Sequence, residues 1–108
     1  MDMTNALEEL EKARAARLAG FEGRARVCAR RAAVWAIQTK YAASKPLYGL
    51  DLLHQVAQDS RMPEHIRARA SHLVMSVNTA HELPPGVDLI TDAQTIIQFL
   101  SQAEEPSA

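Results

Sequence analysis

The sequence predicts an all-α protein, an up-and-down bundle of four main helices plus one additional short helix. Three observations lead there. Small and apolar residues recur at helical spacing in five segments, and no stretch alternates as a strand would. The breaks between segments are short and carry most of the 4 glycines and 5 prolines, and short connections make neighbouring helices antiparallel. Aromatics are only 5% of the chain against 47% hydrophobic residues, so the core must be Ala, Leu, Val, Ile and Met, with alanine allowing close helix approach. At 108 residues one domain is expected, over residues 1–100, with 101–108 as a frayed tail.

The first helix is expected from Ala6 to Ala19. Asn5 reads as its N-cap with Glu8 three positions on, a capping-box pattern. Leu7, Leu10, Arg14 and Leu18 form its helical stripe with Ala13 beside it, and Gly20 stops it ahead of Phe21 as a packing anchor. The second helix covers 23–43. One sector holds Val27, Val34, Ile37 and Tyr41; another holds Ala29, Ala32, Ala33, Ala36 and Ala43; Cys28 and Trp35 lie at its flank. Apolar or small residues cover most of its circumference, which places it at the centre of the bundle. Arg30 projects into the apolar Val27/Ile37/Tyr41 sector, where an uncompensated charge is costly.

Pro46 breaks the pattern, and the third, short helix is expected from Leu47 to Gln58 with Leu47, Leu50, Leu53 and Ala57 on one side. The stretch "DSRMPEH" is a turn, with Pro63 in the first turn of the fourth helix. Ile66, Ala70, Leu73, Val74 and Val77 make that helix's stripe, ending near Asn78. "HELPPGVD" is a loop, since Pro84, Pro85 and Gly86 cannot continue a helix. Asp88 caps the fifth helix, whose stripe is Ile90, Ala93, Ile96, Ile97 and Leu100.

Net charge is −1, which argues against a general nucleic-acid coat protein. The charge is divided, however. Residues 1–45 hold nine Lys/Arg and five Asp/Glu, and residues 46–108 hold three and eight, so the halves carry +4 and −5. Mutual compensation between packed helices is the simplest account. Cys28, the single cysteine, excludes an intramolecular disulfide. The acidic "MDMTNALEEL" has no hydrophobic signal core, and no apolar run reaches membrane-spanning length. The expectation is a soluble, cytoplasmic protein without a membrane partner.

No residue pattern calls for a cofactor or a metal. His65 and His72 are seven residues apart, about 10 Å along a helix, too far to share one ion. Asp51 and His54 are spaced as half of a bundle metal motif, without a second half. Cys28 has no acid or base arranged locally to make it a catalytic nucleophile. Trp35 and Tyr41 are expected in the core. "GFEGRAR" lacks the strand that a phosphate loop follows. Arg14, Arg17, Arg24, Arg26 and Arg30 are able to line an anion groove between the first two helices, with Arg26 and Arg30 as the leading candidates; the competing expectation pairs them with Glu8, Glu9, Glu11, Glu22 or acids of the second half.

The order "ARAARLAGFEGRARVCARRAAVWAIQTKY", "KPLYGLDLLHQVAQ", "PEHIRARASHLVMSV", "HELPPGVD" and "TDAQTIIQFL" resembles the HEPN family, the helical domain named for higher eukaryotes and prokaryotes nucleotide-binding. The resemblance implies a HEPN-like bundle. It also implies one of two activities. Catalytic members are metal-independent ribonucleases that use an Arg followed four to six residues later by His, often at a dimer interface. The matching residues are Arg67 and His72, which would act as transition-state stabiliser and as general base or acid. Ala68 stands where a polar residue often follows that arginine, and on a regular helix Arg67 and His72 point about 140° apart. Members without activity serve as binding or dimerisation modules, often beside a nucleotidyltransferase. The expected function is therefore a non-enzymatic interaction module that forms a homodimer and takes itself, a nucleotidyltransferase-like protein or a nucleotide as partner. The ribonuclease, and an anion- or nucleotide-binding domain, are the alternatives.

Overall fold

The computed structural model describes residues 3–40, 49–78 and 86–103. Within them the chain forms five helices, α1 (Thr4–Leu18), α2 (Glu22–Lys40), α3 (Gly49–Gln58), α4 (Glu64–Asn78) and α5 (Leu89–Ala103), and no strand. The all-α bundle expected from the periodicity is what forms, and α3 is its short member. The expectations that involve Tyr41, Ala43, Pro46, Leu47, Pro84 and Pro85 lie outside the described residues, as do any made of the side chain of Val77.

The turn between α1 and α2 is set by Gly20. Its φ of 89° is left-handed, a conformation a Cβ disfavours. That geometry closes two bonds over the end of α1: Phe21 N–H donates to the Ala16 carbonyl and Gly20 N–H to the Arg17 carbonyl, at 2.8 and 3.0 Å. These satisfy carbonyls that the helix end would otherwise orphan. The Phe21 carbonyl then accepts from Ala25 N–H and opens α2. With so short a connection the two helices fold back on one another as a hairpin.

Their interface is alanine. Ala6, Ala13 and Ala16 of α1 and Ala25, Ala29, Ala32, Ala33 and Ala36 of α2 are all buried. Alanine costs no side-chain entropy on burial and keeps the backbones close. Helix α2 also packs on α3 and α5, so it is the central helix its composition predicts. Gly49 opens α3 against it; a Cβ there would lie 3.3 Å from Val34 Cγ2. Larger side chains fill the rest of the core. Ile37, Leu53, Ile66, Leu73, Leu89 and Ile96 are fully enclosed, each worth about 1.5–3 kcal/mol of burial.

The second hairpin joins α3 to α4. Asp59 accepts from the Arg61 backbone N–H at 2.9 Å and from its guanidinium at 3.0 Å, and its carbonyl accepts from Met62. Pro63 stands just ahead of α4 and offers its carbonyl to Ile66 and Arg67. Asp88 caps α5, as its position suggested: its carboxylate accepts from Thr91 Oγ1 at 2.8 Å and its carbonyl from Asp92 N–H.

Several side chains depart from expectation. Asn5 is not a cap; α1 begins at Thr4 after Met3, without a side-chain cap bond. The buried stripe of α1 is Ala6, Leu10, Ala13 and Ala16, while Leu7, Leu18 and Phe21 are exposed. Alanines make up most of that face, and their small side chains let α2 approach closely. On α3 the buried set is Leu52, Leu53 and Val56, and Leu50 faces out. Trp35 is also exposed instead of filling the core. No helix among the described residues is long and apolar enough to cross a membrane.

Candidate functional site

The first polar cluster joins α4 to α5. Arg69 and His72 are three residues apart on α4 and so share a face. Asp92 lies in the first turns of α5, only 2% exposed. Arg69 Nη1 donates to Asp92 Oδ1 at 2.9 Å, and His72 Nδ1 stands 3.1 Å from Oδ2. Both carboxylate oxygens are thus engaged, while Arg69 and His72 extend from a buried centre to solvent. Burial pushes the Asp92 carboxyl above its ordinary range, against the opposing pull of His72 and Arg69. Chemically this is an interhelix clasp with one imidazole oriented by a carboxylate.

The two residues singled out as a ribonuclease pair are not brought together in it. His72 belongs to the clasp. Arg67 makes no hydrogen bond to His72; its charge acts on Asp59, and its Nε is buried with no hydrogen-bond partner. The partner of His72 is Asp92, which the spacing of Arg and His on one helix does not point to. A trace of it is present in the sequence: Asp92 is three residues after Leu89 and four before Ile96, on the buried side of an otherwise apolar helix.

A second cluster ties the ends of α1, α2 and α5. Arg17 donates to both oxygens of Glu22 at 3.0 and 2.8 Å, and its Nη1 lies 2.7 Å from Asp88. Arg26 reaches Glu22 at 3.8 Å. The Arg17 guanidinium holds Glu22 below its ordinary range, and hydrogen bonds from Thr91 and Arg17 overcome burial to do the same for Asp88. Of the two anion-site candidates, Arg26 therefore sits beside Glu22. Arg30 is half-buried, and burial, with the neighbouring Arg31 charge, lowers its pKa.

Two surfaces remain beside α1. Between α1 and α2 lies a hollow of about 470 Å³, lined by alanines, Phe21 and Cys28 together with Glu9, Lys12, Arg24 and Arg31. Lys12 pairs with Glu9 across one turn. Among the described residues Arg24 and Arg31 make no ion pair. On the side of α1 away from the core, Leu7, Glu11, Arg14 and Leu18 fall within about 60° of arc at 100° per residue. Leu7 is 50% and Leu18 89% exposed, and Glu11 pairs with Arg14 between them. Among the described residues helix α1 packs chiefly on α2 and α5, and Leu7 and Leu18 of this seam stay exposed.

Comparison with protein-family models, with curated proteins and with solved structures finds no match to this chain.

Proposed function

We propose that this chain is a non-enzymatic helical interaction module that forms a homodimer in the cytoplasm, in the manner of the HEPN proteins that lack nuclease activity. The observation that carries the reading is the exposed face of α1. A leucine exposed at 89% and another at 50%, on one line of a helix, form an apolar seam of the kind that marks a protein contact. The polar clusters favour a structural role over catalysis, since His72 and Arg69 both engage a buried carboxylate and Arg67 stands apart.

Light scattering over a concentration series tests the reading. Wild-type protein is expected to move from monomer to dimer, and Leu18→Glu to stay monomeric with unchanged helix content. A wild type that remains monomeric at the highest concentration overturns self-association. RNA incubated under metal-free conditions should stay intact; cleavage that disappears in His72→Ala would restore the ribonuclease.

A second reading has its own observation. Arg24 and Arg31 line the α1/α2 hollow and make no ion pair among the described residues, the Glu9 carboxylate in the same hollow being paired with Lys12, so the two guanidiniums suit a phosphate-bearing ligand. This moves the anion site expected at Arg26 and Arg30 along α2. Thermal shift with ATP, GTP and short RNA across a salt series is the check. Stabilisation at low salt that is lost in Arg24→Ala/Arg31→Ala supports it, and no shift at low salt removes it.

A further inference from the structure

We infer that the occupant of the α1 seam is a second copy of this chain, with the two α1 helices antiparallel across a two-fold axis and residue i facing residue 25 − i. This rests on the interaction reading above and names its partner and register.

A two-fold contact places one patch against itself, so the patch must complement its own reversed image. The α1 seam does. Its order is Leu7, Glu11, Arg14, Leu18, with spacings of four, three and four that match the repeat of paired helices. Reversed and laid on itself, it sets Leu7 on Leu18 of the second copy and Glu11 on Arg14. Apolar side chains meet at both ends and opposite charges meet in the middle. A parallel pairing sets Glu11 on Glu11 and Arg14 on Arg14, which like-charge repulsion disfavours.

The surface relief agrees with the antiparallel register. A shallow, open face formed by Thr4, Leu7, Glu8, Glu11 and Lys12 lies along the first half of α1. The reversed copy brings Leu18 to that half, and it is the most exposed large apolar side chain among the described residues. Glu11 and Arg14 already pair within each chain, so at the axis the two pairs close a ring of four charges of alternating sign. A single helix on each side offers less than the roughly 800 Å² per partner of a standard stable interface. The dimer is therefore concentration-dependent.

The experiment has two arms, both on the full chain. In the first, Glu11→Arg and Arg14→Glu are measured separately by light scattering. Each turns the central attractions into repulsions and should weaken dimerisation about tenfold, whereas an equimolar mixture of the two should dimerise as the wild type does. In the second, on a Cys28→Ala background, Leu7→Cys protein is mixed with Leu18→Cys protein and oxidised. The mixed disulfide should dominate, because copies of the same variant hold their cysteines about 16 Å apart along the helix. Circular dichroism confirms that these exposed substitutions leave the fold intact. A wild-type dimer with indifferent charge variants, or with like-to-like disulfides, overturns the register and leaves the interaction reading standing. A monomeric wild type overturns both.

Discussion

Asp92 Oδ2 stands 3.1 Å from His72 Nδ1 while Asp92 Oδ1 accepts from Arg69 Nη1 at 2.9 Å, so one buried carboxylate fastens α5 to two positions on one face of α4. Removing it leaves a guanidinium facing an apolar gap. Asp92→Ala should cost about 2–3 kcal/mol in urea unfolding, below the 3–5 of a fully buried pair because Arg69 and His72 reach solvent. Replacing the whole clasp, as Asp92→Leu with Arg69→Met and His72→Leu, should recover most of that loss. A loss under about 0.5 kcal/mol, the level of an ordinary surface change, would mean the clasp is not structural.

The carboxylates of the two polar clusters give opposite pH signatures. Burial raises the Asp92 pKa from 3.8, so the folded state holds that proton more tightly, and Asp92's contribution to stability declines as pH rises through the raised value. Glu22 and Asp88 are lowered from 4.5 and 3.8. Their stabilisation is complete above those ordinary values and is lost as pH falls through the folded ones. Carboxyl ¹³C titration should place the Asp92 midpoint above 3.8, with Asp88 below 3.8 and Glu22 below 4.5. Arg69→Met should raise the Asp92 midpoint further. An Asp92 midpoint at or below that of Asp88 contradicts the burial argument.

Gly20 holds φ at 89° with nothing within 4 Å of an added Cβ, so backbone strain alone sets the effect of a substitution. Gly20→Ala should lose about 1–2 kcal/mol, read as a lower urea midpoint at unchanged slope. A neutral result would show that the helix end does not depend on the left-handed residue.

The alanine interface makes an asymmetric prediction about leucine. Ala29 and Ala33 are fully enclosed, and Ala29→Leu or Ala33→Leu should destabilise by about 1–3 kcal/mol or more through overpacking. Leu18→Ala, at an exposed position, should change monomer stability by no more than about 0.5 kcal/mol. Thermal and urea unfolding at low protein concentration measure both. If the leucines are tolerated on α2 and the alanine is not tolerated on α1, the two faces have been assigned the wrong way round.

Helix α1 shows where sequence reading stops. Leu7, Leu10, Arg14 and Leu18 have the spacing of a buried stripe, and by hydrophobicity they outrank the alanines beside them. The fold buries Leu10 alone of these and turns Ala6, Ala13 and Ala16 inward, because the facing side of α2 is itself alanine and the two backbones sit close. For α5 the stripe is legible in full: Ile90, Ala93, Ile96, Ile97 and Leu100 are all buried, since large and small side chains there lie on one face. His72 was legible as a polar residue of interest. Its partner was not, because Asp92 is 20 residues away on another helix and meets it only through the packing of α4 on α5.

By itself the sequence determined the helices, the Gly20 stop, the turn at Asp59 and the Asp88 cap. Each depends on backbone torsions and on bonds between residues a few positions apart, which act before any helix meets another. The tertiary structure decided which face of each helix is enclosed and which distant charges meet. At 100° per residue, a small rotation of a helix exchanges a buried side chain for an exposed one, and only the shape of the neighbouring helix sets that rotation. That rotation is what sends Leu7 and Leu18 outward and brings Asp92 to Arg69 and His72.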